Sequence, residues 1–453
     1  MKKTIFLASA VMTMIIAGCT SETYELEKSA LQRSSNQVTL TVAAVTKSPD
    51  LVGDPETRIA YGSEDATWEE GDKIFLIKSD GTTITLTLSD GVGTSTGSFT
   101  STDAVTAGSY TPYAVSATSL SKGYVSVSDG AISLDLSTAG GGTLADALEH
   151  DILKGDALEL TDDQAEAEIT GLTTHILSYL RFRFTSESKA ITSIGMNSAG
   201  GVYKTVTIAS DGTVSGSDAS TDVVSVTASD DDAGTYAGYF AVFGSTNTSL
   251  LAHAEDADGG KYSRLVSTKE ATYTAGTVYG KTFTLSEAMV TADASGTLSD
   301  QTWKNLGLSV KWAKLNLGAT GEYDYTYNDY DTAVPSGWRK PTKAEVAELF
   351  YASSRTWITG SVKAVRFDCN GNTLNIGAGG IYYEWFNNAY SYGDRINNEG
   401  VLVQFWVSDN EYDACSISSE GTVLGFGNHP YKYNSRNDSY NFYRAAIRLV
   451  CDY

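Results

Sequence analysis

From Val38 the chain alternates. Val38, Leu40 and Val42 fall on one side of an extended backbone and Thr39 and Thr41 on the other, the period-two signature of a half-buried strand. Ile84, Leu86 and Leu88, interleaved with Thr83, Thr85 and Thr87, repeat it. Between them, Trp68-Glu69-Glu70-Gly71-Asp72-Lys73 opens through a glycine turn into the unbroken apolar run Ile74 to Ile77, a buried strand. Further strands are predicted at Tyr110 to Val115 and Tyr124 to Val127. Ser79-Asp80-Gly81, Ser89-Asp90-Gly91 and Ser128-Asp129-Gly130 supply turns at strand-length intervals, the spacing of a β-sandwich over 36–160. A second sandwich is expected over 161–286. There Leu180, Phe182 and Phe184 alternate with Arg181 and Arg183, predicting one core face and one solvated face, and Val206 with Ile208, Tyr239 to Phe243 and Tyr273 to Leu285 continue the pattern. Asp230-Asp231-Asp232 and Glu255 to Gly260 read as acidic turns.

Residues 287–302 are small and polar and read as a linker. The composition then shifts: the remainder, 303–453, holds six of the seven Trp, more than half of the Tyr, and Cys369, Cys415 and Cys451, which marks a separate domain. Within it Thr342 can cap a helix with Glu345 three residues on, and Val346, Leu349 and Phe350 then share one face. The fold class expected is mainly β, with two tandem sandwiches followed by an α+β domain.

Two features ahead of the strands change the picture. Lys2 and Lys3 precede an apolar run from Ile5 to Ile16, the length of a signal peptide rather than a mature span. It ends in Ile16-Ala17-Gly18-Cys19, which resembles a bacterial lipobox. That resemblance implies a signal peptide over 1–18, acylation of Cys19 and an exported lipoprotein held on a membrane by its acyl chains. Residues 19–35 read as a polar tether or propeptide. The formal charge of −23, with 32 Lys and Arg against 55 Asp and Glu, repels phosphate backbones and argues against nucleic-acid partners.

Several catalytic and metal patterns fail on context. Gly93-Thr94-Ser95-Thr96-Gly97 matches a nucleophile elbow, but a strand-like stretch rather than a helix follows it, so it reads as a hairpin loop. Gly276 to Thr282 resembles a phosphate loop one residue short that continues as strand. The Glu255 to Gly260 cluster misses the EF-hand frame at Gly260 and Ser267 and reads as a solvated turn. The three later cysteines lack metal-ligand spacing, and two of them could form one disulfide. No metal, cofactor or catalysis is expected. A third possibility, an acid and base pair in Glu384 and Asp394, has no supporting motif.

Thr57-Arg58-Ile59-Ala60-Tyr61, Ala66 to Ile74, Leu172-Thr173-Thr174-His175 and Thr274 to Tyr279 together resemble the fimbrillin-like lipoproteins whose polymerising members are type V pilins. The resemblance implies transthyretin-like sandwiches, an outer-membrane, surface-exposed location with possible release into fimbriae, and partnership with other fimbrial subunits. It also implies trypsin-like cleavage near the first strand, here at Arg33 with Lys28 and Lys47 behind it, and strand donation into the groove left open. Leu306 to Ala319, Gly337-Trp338-Arg339-Lys340-Pro341-Thr342, Phe405-Trp406-Val407-Ser408 and Ala446 to Cys451 resemble the Fibrobacter-type major paralogous domain. That likeness implies a C-type-lectin-like fold, although the Glu-Pro-Asn and Trp-Asn-Asp calcium motifs of such lectins are absent.

Tyr382 to Tyr440 is rich in groups that sugars use. Tyr383, Trp385, Tyr390 and Tyr392 could stack on pyranose faces, and Asn387, Asn388, Asp394, Arg395, Asp409 and Asn410 could pair with hydroxyls. Trp303, Trp312, Trp338, Trp357 and Trp406 are expected in the core. The expected function is a tip or accessory fimbrial adhesin with a lectin-like head that binds a glycan or matrix protein. The alternative is a surface glycan-binding lipoprotein that never joins a fibre.

Overall fold

The computed structural model describes residues 40–46, 52–53, 67–169, 172–246, 249–267, 271–324, 326, 328–359, 363–379, 381–387, 390–391, 395–397, 402–410, 413–418, 423–428, 432–434 and 439–453. The chain is mainly β, as the alternation predicts. Its first sheet runs in the order 166–167, 40–46, 96–101, 83–90, 73–78, 108–115, 153–154, 174–175. The strand Lys73–Lys78 is covered on both sides, as its apolar run requires. Ile74 and Leu76 meet Leu40, Val42, Trp68, Phe99 and Tyr110, whereas Phe75 and Ile77 point into a second core. Asp72, fully buried, fixes the entry turn by accepting from the Glu69 and Ala117 amides at 3.0 and 2.8 Å. The segment around Ser95 closes the hairpin between Thr83–Asp90 and Thr96–Ser101, and Gly276 to Thr282 lies, after its first residue, within the strand Thr277–Leu285.

That second core crosses the boundary at 160/161. The hairpin Val125–Ser128 and Ala131–Asp135 pairs with Val202–Ile208, Leu134 opposite Val206 and Ile132 opposite Ile208. Val52–Gly53 lies parallel to Thr277–Val278, and Gly140–Gly141 pairs with Tyr239 and Phe240. A Cβ on Gly140 would stand 2.4 Å from the Tyr239 carbonyl oxygen, so only glycine lets the backbones approach. Phe75, Ile77 and Tyr113 from the first segment thus share one apolar cluster with Tyr179, Val206, Tyr239 and Val278 from the second. Alternation identifies each strand but not its partner, which is why the sequence shows a boundary where the structure shows a seam.

The second sandwich closes around Leu180, Phe182, Phe184, Ile194, Phe240 and Ala252. Its opposite face departs from the solvated one expected. Arg181 is 6% exposed, lies over the Tyr239 ring at 5.4 Å and pairs with Asp231; Arg183 joins the same carboxylate at 2.8 Å. Asp231 belongs to an edge strand, Ser229–Asp232, rather than a turn, because the two buried-side arginines need a counter-charge. Asp256 is likewise buried and accepts from the Asp258 and Gly260 amides and the Tyr262 hydroxyl, all within 2.9 Å. Burial opposes its ionisation, and these bonds outweigh it, holding the carboxyl below its usual range.

The expected linker is ordered. Glu287–Val290 is a helical turn, and Ser295–Leu298 with Gln301–Lys304 forms a hairpin that continues through Lys311–Asn316 to the strand Arg448–Cys451. Polarity misleads here because the hairpin lies at a sheet edge. The helix Lys343–Ala352 carries the predicted capping box between Thr342 and Glu345 and buries Val346, Leu349 and Phe350. Trp312, Trp338 and Trp406 are core, whereas Trp303 and Trp357 are half-buried, Trp303 beneath the Lys311 ammonium at 4.8 Å. Cys369, Cys415 and Cys451, two of which could have formed a disulfide, are all free, buried thiols, Cys369 and Cys415 in one cluster and Cys451 in another. Burial pushes the Cys369 thiol up to about 12. Arg448, fully buried, ties the domain together by donating to the carbonyls of Ala313, Lys314 and Asn375 at 2.6–3.0 Å, and burial brings its guanidinium down to about 9.

This unit is fastened to the second sandwich by polar contacts. The Ser263 amide and Arg264 Nη1 donate to the Gly307 carbonyl at 2.9 and 3.0 Å. Glu348 accepts from the Leu265 amide and from the amide and hydroxyl of Ser309. Asn370 Nδ2 donates to the Leu306 carbonyl and to Ser263 Oγ, which bonds His253 Nδ1 at 2.9 Å, and His253 Nε2 meets Asn197 Oδ1 at 2.9 Å. Burial pushes His253 down to about 4, so the ring is neutral at pH 7.

Candidate functional site

Two places carry the residues that the sequence singles out. The first is the strand Leu40–Thr46. It lies between two neighbours, antiparallel to Thr96–Ser101 on one side and parallel to Glu166–Ala167 on the other. Leu40 and Val42 are fully buried, Val42 opposite Phe99, and the Thr41 amide donates to the Ala165 carbonyl at 2.8 Å. The register slips between Val42 and Val45, a bulge that leaves Val45 opposite Gly97. Taking this strand away would strip the partner from backbone groups of Thr96–Ser101 and open two apolar sockets. Cys19 and Arg33 lie outside the described residues.

The second place is the sheet built on Ile381–Asn387. By register, Tyr383 is opposite Arg395 on one side and Tyr443 on the other; Trp385 is opposite Asn441; Asn387 is opposite Tyr390 and Ser439. Positions two apart on a strand, and positions directly opposite, belong to one face of a sheet. Tyr383, Trp385, Asn387, Tyr390 and Arg395 therefore occupy backbone positions of a single parity. Asn388, Tyr392 and Asp394 lie outside the described residues. Asp409 and Asn410 are in another place, the turn after Leu402–Trp406. Asp409 accepts from the Lys343 amide at the start of the helix Lys343–Ala352, and Asn410 Nδ2 donates to Asp413 at 2.8 Å. Asp413 also pairs with Lys343 Nζ. Both residues brace the helix start.

Sequence reasoning missed Asp151. Its carboxylate is buried and takes four donors: the Ile176 and Leu177 amides at 3.2 Å, His175 Nδ1 at 2.6 Å and the Tyr179 hydroxyl. It clamps the crossover by which the chain leaves the first sheet, at Thr174–His175, and enters the second, at Ser178–Ser186. An isolated Asp-Ile-Leu string gives no sign of this. Among the described residues no group of three or more His, Cys, Asp and Glu could hold a metal ion, and no helix is long and apolar enough to cross a membrane.

No protein-family model matches the chain, and no curated protein matches it. Solved structures with partial likeness include a candidate cell adhesion protein from Bacteroides uniformis ATCC 8492, 15% identical, covering 54% of this chain and 93% of the other at a TM-score of 0.34. A fimbrial protein from Bacteroides ovatus ATCC 8483 is 9% identical over 66% of this chain and 57% of its own, at 0.27. A C-terminally truncated tip fimbrial protein from Porphyromonas gingivalis is 10% identical over 51% of this chain and 81% of its own, at 0.25.

Proposed function

We propose that this chain is a surface adhesin subunit of a fimbria, in a tip or accessory position, lipid-anchored through Cys19 before assembly. The observation that carries the reading is the inserted strand Leu40–Thr46. It is held by backbone pairing on two sides and by two apolar side chains in sockets, the arrangement from which one extended segment can be exchanged for another. On this reading, where the chain is cut relative to the strand decides whether the strand can leave. A cut at Arg33 precedes the strand and leaves it joined to the body, whereas a cut at Lys47 follows it and separates it. The test is a labelled Leu40–Thr46 peptide offered to the protein before and after trypsin-like cleavage. Capture only after cleavage, abolished when Lys47 and Arg58, the two basic residues between the strand and Trp68, are both changed to Ala, supports strand exchange; capture without cleavage, or none after it, overturns it. Polymer ladders from this subunit alone would overturn the tip or accessory position.

A second reading, a glycan-binding surface lipoprotein that stays outside the fibre, is favoured by the shared parity of Tyr383, Trp385, Asn387, Tyr390 and Arg395. In both readings the lectin-like unit makes the contact. Glycan-array binding by the full chain, lost in Trp385→Ala, supports that role; binding unaffected by that change moves the contact elsewhere.

A further inference from the structure

A cavity of about 330 Å³ opens beside the Asp151 clamp, where the first sheet meets the helix Leu144–Leu148. Its walls are mainly apolar, from Trp68, Leu148, Ile152 and Leu153, and its charged lining is entirely acidic, from Glu69, Glu149 and Asp151. Lys122 offsets one of these by pairing with Glu149 at 2.6 Å, and Asp151 is occupied by the crossover, which leaves Glu69 exposed. His175 completes the wall. Its Nδ1 bonds Asp151, and its buried Nε2 on the other side of the ring has no hydrogen-bond partner. An unpaired buried polar atom is costly and recurs where a ligand or water completes the site.

We propose that this cavity binds a small organic cation, an ammonium group on a compact apolar or aromatic body. Each part of the site points to that chemistry. The volume is at the lower end of small-ligand pockets, the apolar walls take the hydrocarbon, and unbalanced carboxylate favours a positive head. The rim carboxylate of Glu69 can accept from an ammonium N–H, whereas a carboxylate or phosphate would meet acidic neighbours and, among the described lining residues, no Lys or Arg. The ligand would rest against the segment that joins the two sandwiches. This inference is independent of strand exchange and of the glycan reading, since it uses none of their residues.

The probe is 2-phenylethylamine, measured by titration calorimetry against the full chain, with 2-phenylethanol and 3-phenylpropionate as neutral and anionic counterparts. The amine is expected to bind, the alcohol about tenfold more weakly for want of the charged contact, and the acid not at all. Ala145→Trp fills the cavity and should abolish binding. Glu69→Gln, on the exposed rim, should weaken the amine several-fold without changing the alcohol, and it guards against a filled variant that fails to fold. Equal binding of amine and alcohol, or no binding of the amine at millimolar concentration, would overturn the proposal.

Discussion

The two joints of the molecule are built from opposite materials. Between the sandwiches the joint is a core: Phe75, Ile77, Ile132, Leu134, Val206, Ile208 and Tyr239 bury one another, and strands from either side pair in one sheet. Between the second sandwich and the C-terminal unit the joint is a relay of hydrogen bonds through Arg264, Glu348, Asn370, Ser263 and His253. An apolar seam of this kind cannot part without unfolding both neighbours, because each completes the other's core. A polar latch fixes one relative orientation, since each donor must find its acceptor, and it fails when one partner is removed or titrated. The two leading sandwiches thus share one core, and the C-terminal unit, with apolar clusters of its own, is held against them by polar contacts.

The largest effect should come from the seam. Leu134→Ala, at a fully buried position, is expected to cost about 3 kcal/mol, and both sandwiches should melt together in calorimetry. Two separated transitions would break the comparison. Glu348→Ala should follow, at about 2–3 kcal/mol, because it leaves the Leu265 and Ser309 amides and the Ser309 hydroxyl without their acceptor and removes a negative charge that favours the buried Arg264 cation. Its signature is release of the C-terminal unit, read as protease cutting between 286 and 306, with the sandwiches' melting temperature unchanged.

Acid should act on the same latch. His253 has a folded pKa depressed to about 4 from 6.5, so the unfolded chain binds the extra proton first. Its contribution is intact above pH 6.5 and is lost as pH falls toward 4, amounting to about 2 kcal/mol after allowance for partial exposure. Protonation at Nδ1 would also turn the acceptor of the Ser263 hydroxyl into a donor. His253→Gln should flatten the stability profile between pH 6.5 and 4, and an unchanged slope would remove His253 from the account. The smallest effect belongs to Thr342→Ala, about 1 kcal/mol, confined to the C-terminal unit, from loss of the cap on the Glu345 amide.

What was legible in the sequence follows from the range of each interaction. Leu180, Phe182 and Phe184 announce a strand, and Thr342 with Glu345 announces a helix start, because these signals are local. The seam was hidden because Ile132 and Ile208 are far apart in the chain, and nothing in either hairpin names its partner. The charge on Arg181 points to solvent in the sequence, and only the fold brings Asp231 beside it. Asp409 reads as a sugar ligand because it is a carboxylate in a stretch rich in Tyr and Asn, yet that carboxylate faces the first amide of a helix that begins far upstream in sequence. The parity of Tyr383, Trp385 and Asn387 was readable; their pairing with Arg395 and Tyr390 needed the register.

Native-state hydrogen exchange of the full chain at pH 7.5 and pH 5.0 tests the contrast between the joints most directly. The account predicts that Tyr110 to Val115 and Leu180 to Phe184 exchange through one shared opening at both values. It further predicts that amides of Ser263 and Leu265 lose protection at pH 5.0 while Val365 to Phe367 inside the C-terminal unit keep theirs. Separate openings for the two sandwiches, or latch amides indifferent to pH, would contradict it.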